Sequence, residues 1–173
     1  METSYIVTFI GDDRPGLVEA VSGVIEQNKG SWHESRLSQL GGKFAGLVLV
    51  SLSTEGGSTL EQALKGLSSH GLSVRVTATA PGTVIASSRD ITLAVIGPDR
   101  LGIVREISRV LAGHRVNVIE MDSKVSSAPM SGEQLFEARI AAQIPQDIAL
   151  DDLMDTLDDM ANQMTLDITL EPV

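Results

Sequence analysis

Two hydrophobic rhythms alternate along this chain, and they run through the same order twice. Tyr5 to Ile10 is a short apolar, β-branched run of the kind that forms a strand. Leu17, Val18, Val21, Val24 and Ile25 then fall on the i, i+1, i+4, i+7, i+8 stripe of an amphipathic helix, predicted from about Arg14 to Asn28. A mixed strand from Trp32 to Leu40 follows, and Gly41-Gly42 supplies a two-residue hairpin before a returning strand, Phe44 to Leu52. Leu60, Ala63, Leu64 and Leu67 mark a short helix. Leu72, Val74, Val76 and Ala78 alternate with Ser73, Arg75, Thr77 and Thr79, so one face of the closing strand is expected to be solvated.

From Asp90 the pattern starts again, aligned without a gap for more than thirty residues at an offset of 86. Strands are predicted over Ile91–Ile96, Val116–Val125 and Leu135–Ala142. A helix is predicted from Arg100 to Gly113, with Ile103, Val104, Ile107, Val110 and Leu111 on its stripe. A further helix carries Leu150, Leu153, Leu157 and Met160, and Leu166, Ile168 and Leu170 close the unit. Where the first copy has its glycine hairpin, the second has "SSAPMSGEQ", Ser126 to Gln134, expected to be a long mobile loop. The fold class is therefore α+β: two ferredoxin-like βαββαβ units, each an antiparallel four-stranded sheet with both helices on one face. Expected boundaries are 1–80 for the first unit, 81–89 ("PGTVIASSR") for a linker and 90–173 for the second. Units of roughly 80 residues lie near the lower size limit for a self-sufficient core, so side-by-side pairing of the two is expected.

Charge narrows the partners. The formal net charge is -10, with 6 basic against 8 acidic residues through Ala80 and 7 against 15 afterwards. "DDLMDTLDDMANQ" reads as a helix with a negative solvent face, either simply solvated or docking a basic surface on a partner. Direct nucleic-acid binding calls for a basic stripe and stacking aromatics, and this chain has five aromatics in all. No apolar run reaches the ~18 to 20 residues of a membrane span, and no basic segment precedes the first apolar stretch, so a cytoplasmic protein is expected. With no cysteine there are no disulfides and no thiolate ligands. The separated His33, His70 and His114 lack the spacing of a metal site, and no serine sits in a nucleophile elbow. Neither catalysis nor a cofactor is expected. The single tryptophan, Trp32, is expected to pack at a domain interface or to line a ligand pocket.

The candidate chemistry lies in a turn that occurs twice, "GDDRPG" (Gly11–Gly16) and "GPDRLG" (Gly97–Gly102). Read structurally, Asp13 and Asp99 cap the following helices, Pro15 fits a first helical turn, and the glycines allow a tight corner. Read functionally, the same corner exposes backbone N–H groups that suit a carboxylate, with Arg14 and Arg100 adding charge-assisted contacts and Asp13 and Asp99 free to take an ammonium. A free amino acid carries both groups. The spacing is not that of a nucleotide loop.

Tandem "G-x-D-R-x-G" turns in two βαββαβ units resemble ACT domains, small amino-acid-sensing modules, over almost the whole chain. More narrowly, "DDRPGLV", "ESRLSQLGGKFAGLVLV" and "APMSGEQLFEARI" resemble the family of glycine cleavage system transcriptional repressors. The resemblance implies a non-enzymatic regulator that senses glycine or a similar small amino acid. It implies action through protein–protein contact with a DNA-binding regulatory protein, without direct nucleic-acid or membrane binding, and leaves a homodimer open. Two alternatives stand beside it: a regulatory subunit of an amino-acid metabolic enzyme, and a ligand-independent interaction protein. The resemblance puts the ligand site at the first strand-to-helix turn and the start of the second strand. That implies Asp13 and Asp99 as side-chain contacts, Gly16 and Gly102 as room for the ligand, and Asn117 at the start of the second strand. Ser31 stands at the Asn117 position of the first unit, which makes the second turn the stronger candidate.

Overall fold

The computed structural model describes residues 2–79 and 87–171. It divides into two compact units, Met1–Thr83 and Val84–Val173. The first runs β1 (Glu2–Asp12), α1 (Leu17–Gln27), β2 (Ser31–Leu40), β3 (Lys43–Ser53), α2 (Gly57–Lys65) and β4 (Ser73–Thr79). The second runs β5 (Ser88–Pro98), α3 (Ile103–Gly113), β6 (Asn117–Ser127), β7 (Gln134–Pro145), α4 (Leu150–Met164) and β8 (Asp167–Glu171). Most of the expected linker, 81–86, lies outside the described residues. Ser88 and Arg89, read as its end, instead open β5 and pair with Pro145 and Ile144.

Each unit holds one four-stranded sheet, in the order β2-β3-β1-β4 and β6-β7-β5-β8, with every pairing antiparallel. The alternation read from the sequence decides which side is covered. In the first unit Tyr5, Val7 and Phe9 of β1 share one core with Val48, Val50, Leu17, Val21, Ile25, Leu60 and Leu64, so α1 and α2 cover the same face. In the second, Leu93, Val95, Ile140, Ile107, Leu111, Leu153 and Leu157 do the same work. No charged or polar side chain is buried among the described residues. Burying a single Val, Leu or Ile is worth about 1.5–3 kcal/mol. Trp32 packs against the core of its own unit.

The repetition extends to irregularities. A bulge interrupts β2 between Trp32 and Glu34 and β6 between Val118 and Glu120, at the same step. Lys29 and Arg115 end the first helix of each unit at φ 61 and 57, with Gly30 N–H bonding Ile25 O at 2.9 Å and Val116 N–H bonding Leu111 O at 2.9 Å.

Several local expectations change. The first helices begin at Leu17 and Ile103, not at Arg14 and Arg100. Their N-caps are Gly16 and Gly102, and no side chain caps either helix. Asp13 and Asp99 stand three residues before those caps, out of reach of the role assigned to them, and Pro15 also precedes its helix. Finally, the long loop is a shorter hairpin: β6 continues to Ser127, and Ala128 to Glu133 close on themselves through Ala128 N–H to Glu133 O at 2.8 Å and Gly132 N–H to Ala128 O at 3.0 Å. Two outward-facing residues of the first sheet, Ile10 and Leu47, are 49% and 50% exposed, so that face is less polar than the alternation in β4 predicts.

Where β1 and β5 end, a glycine lets the closing strand of the unit approach. A Cβ on Gly97 would lie 2.7 Å from Leu166 Cδ2, 2.8 Å from Thr165 O and 3.0 Å from Leu166 Cα. Two of these neighbours are backbone and cannot swing aside. Gly97→Ala is therefore expected to destabilise the second unit by about 1–3 kcal/mol, in the range of overpacked cores. Amide hydrogen exchange resolved by unit checks this; protection unchanged in β5 and β8 would show that the contact yields.

Candidate functional site

Both repeated turns are built by one backbone device. Gly16 at φ 91 and Gly102 at φ 93 sit in the left-handed region, where side-chain-bearing residues are strained, and turn the chain from strand into helix. Because glycine occupies the cap, the N–H groups of the first helical turn receive no side-chain acceptor. Those donors and the positive end of the helix dipole point out of the corner.

Around the first turn the side chains are partly committed. Asp12, at the end of β1, faces Lys43 across the sheet and forms an ion pair with it. The Lys43 hydrogen bond, then its charge, holds the Asp12 carboxyl below its ordinary value, with Arg14 adding a smaller pull in the same direction. The Asp13 N–H donates to Gly42 O at 2.9 Å, tying the turn to the β2–β3 hairpin. Arg14 donates through its guanidinium to the carbonyl of His70, at the end of the helical segment before β4. The Asp13 carboxylate has no hydrogen bond or ion pair among the described residues. It borders an open groove of about 310 Å³ with Arg14, Gly16, Leu17, Val18, Glu19 and Phe44.

The second turn keeps the frame and loses the pairings. Pro98 and Leu135 stand where the first unit has Asp12 and Lys43. The Asp99 N–H donates to Gln134 O at 2.8 Å, the counterpart of the Asp13 bond. The side chains of Asp99 and Arg100 are exposed and make no polar contact among the described residues, and Leu101 is fully exposed beside them.

Ser31 and Asn117 do not join these turns within their units. Ser31 opens β2 opposite Ser51, and Asn117 opens β6 opposite Gln143. Gly42 and Gln134, which receive the Asp13 and Asp99 N–H bonds, each lie nine residues away along β3 or β7, about 30 Å at ~3.4 Å per residue. The reason is topological: the helix carries the chain back along the sheet, so the second strand begins at the end opposite the first turn. A site that uses turn and strand start together is incomplete within either unit. Sequence reasoning also missed the Asp12–Lys43 and Arg14–His70 contacts. The first was open to inference once Gly41-Gly42 fixed the hairpin, because the register then follows; the second depends on where the α2 segment ends. Among the described residues no group of His, Asp and Glu could hold a metal, and no helix is long and apolar enough to cross a membrane.

Residues 3–77 match the family model of the ACT domain. A comparison with curated proteins finds no match. Among solved structures, an unknown protein from Galdieria sulphuraria is 29% identical over 100% of this chain and 99% of its own, with a TM-score of 0.89. A protein provisionally described as a glycine cleavage system transcriptional repressor is 20% identical over 99% of this chain and 97% of its own, with a TM-score of 0.72. The second of these likenesses is one of fold. The first unit thus matches the ACT domain in sequence, the second repeats its βαββαβ architecture, and the chain carries two ACT-like units in tandem.

The asymmetry at the turns has a measurable signature. The side-chain carboxyl of Asp12 is expected to titrate below the ordinary aspartate range in the intact protein, and Lys43→Met is expected to move its midpoint back upward. Because the folded value is the lower one, the pair's stabilisation is complete above the unfolded aspartate range and disappears as pH falls through the folded value. Carboxyl NMR titration reads this directly. An Asp12 midpoint indifferent to Lys43 would remove the pair from the description of the turn.

Proposed function

We propose that this chain of two ACT-like units is a non-enzymatic regulatory protein of the cytoplasm that binds a small amino acid, glycine or a near relative, at its repeated strand-to-helix turns. It transmits occupancy to a DNA-binding regulatory protein by direct contact, with no nucleic-acid contact of its own. The observation that carries this reading is the pair of glycine-capped, side-chain-free helix starts at φ 91 and 93, each preceded by an exposed carboxylate without an ion-pair partner among the described residues, Asp13 and Asp99.

The chemistry divides by charge. The ligand carboxylate is received by the N–H groups of the first helical turn, where the dipole favours an anion. The ammonium is received by Asp13 or Asp99. Arg100, which has no polar contact of its own among the described residues, supplies a further cation at the second turn. Arg14 is held by His70 and acts instead to position the first turn. Ser31 and Asn117 contribute only as elements brought in from outside the unit whose turn binds. Occupancy matters to a partner protein only if the ligand binds the two conformations unequally.

The turns are also complete as corners without a ligand, through the Asp13–Gly42 and Asp99–Gln134 bonds. That observation favours a second reading, a constitutive interaction protein whose partner ignores amino acids. Recovery of an amino-acid metabolic enzyme as the bound partner would point instead to a regulatory subunit.

Thermal unfolding against a panel of amino acids separates these readings. Glycine at about 100 times its dissociation constant is expected to add about 2.7 kcal/mol of stability. Asp13→Asn with Asp99→Asn is expected to remove the gain while leaving the unliganded protein folded. A flat response across the panel at millimolar concentration, or an undiminished response in the double variant, would count against sensing at these turns.

A further inference from the structure

We infer that Met130 is a modification site, the thioether at which peroxide oxidants act reversibly on this chain, and that the reaction leaves both cores intact. The loop that carries it has no counterpart in the first unit: Gly41-Gly42 joins β2 to β3, whereas Ala128 to Glu133 join β6 to β7. Backbone bonds within the loop close it on itself, Ala128 N–H to Glu133 O and Gly132 N–H to Ala128 O. Met130 stands inside this closure and is fully exposed. Its neighbours Pro129, Ser131 and Gly132 carry short side chains or none, so nothing folds over the sulfur.

Every other methionine among the described residues is shielded. Met160 is 6% exposed, and Met121, Met154 and Met164 pack against the second core. The chain has no cysteine to compete for the oxidant, and Trp32 and Tyr5 pack on the first core. Reaction at Met130 therefore needs no opening of the structure, whereas reaction at the other four waits on local unfolding. In the step itself an S–O bond forms as the peroxide O–O bond breaks. Sulfur is oxidised by two electrons, the peroxide is reduced, and the departing oxygen takes up a proton to leave as water or an alcohol. The sulfoxide is polar and chiral, and methionine sulfoxide reductases return it to the thioether. Its place gives the change a neighbour: Leu101 is also fully exposed, and the loops that hold Leu101 and Met130 flank the bond from Asp99 N–H to Gln134 O. Oxidation thus puts a polar group in place of an apolar one at that end of the second unit.

Hydrogen peroxide added to the full folded chain, followed over time by tryptic mass mapping, tests this independently of ligand sensing. Cleavage after Arg115, Lys124 and Arg139 puts Met130 on residues 125–139, Met121 on 116–124, and Met154, Met160 and Met164 together on 140–173, with Met1 on a separate peptide. The 125–139 peptide is expected to gain one oxygen about tenfold faster or more than the other two. In urea the rates are expected to converge. Met130→Leu is expected to abolish the fast phase and leave the slow oxidation of 116–124 and 140–173 unchanged. The singly oxidised protein is expected to keep the circular dichroism of the parent and to regain the parent mass with methionine sulfoxide reductases of both epimer specificities and dithiothreitol. A 125–139 peptide that oxidises no faster than 116–124, a Met130 rate that rises in urea as steeply as that of the 140–173 peptide, loss of structure on single oxidation, or a sulfoxide that the reductases leave in place would each overturn the proposal.

Discussion

Each unit depends on a glycine held at positive φ between its first strand and first helix. With Gly16 or Gly102 in that conformation, the helix leaves the sheet end at an angle that drops its apolar stripe onto the strands. A residue with a Cβ at the same place would carry the strain of the left-handed region, and relieving it would swing the helix off the core. The same choice leaves the helix without a side-chain cap, so the feature that builds the corner also opens its donors. The architecture of the turn and its uncapped donors come from one conformational requirement.

Much of this was legible from residue order. The stripe of Leu17, Val21 and Ile25 and its echo in Ile103, Ile107 and Leu111 placed both helices, and the alternation of Leu72, Val74 and Val76 with Ser73, Arg75 and Thr77 indicated that one face of the first sheet is solvated. Boundaries were less legible. Asp13 and Asp99 have the chemistry of capping residues, and only the backbone angle at Gly16 and Gly102 reveals that the helix starts later. The polar, proline-containing stretch after Val125 reads as a loop by composition, yet Ser126 and Ser127 keep their places in the ladder opposite Leu135 and Gln134. Local composition reports propensity, whereas the neighbouring strand decides.

The candidate site was legible in part for a different reason. Asp13, Arg14 and Gly16 are close in sequence and stay close in space. Asn117 and Ser31 were joined to the turns by resemblance, and a linear reading gives no distance between a helix's first turn and the strand that follows it. Topology supplies that distance: a strand that continues parallel to its predecessor after a helical crossover must begin at the far end of the sheet. The outer faces show the complementary point. Once a core is satisfied, the outward positions of β1 and β3 are free to diverge from those of β5 and β7.

The distribution of aromatic side chains has an optical consequence. The only tryptophan and the only tyrosine, Trp32 and Tyr5, both pack on the first core, while the second core holds Phe136 alone among aromatics. Ultraviolet absorbance and intrinsic fluorescence of this protein therefore come almost entirely from one unit. An emission change on titration or unfolding reports on the first unit, and the second can melt unseen. A Trp placed in the second unit, or a backbone-based signal, is needed before the two can be said to move together.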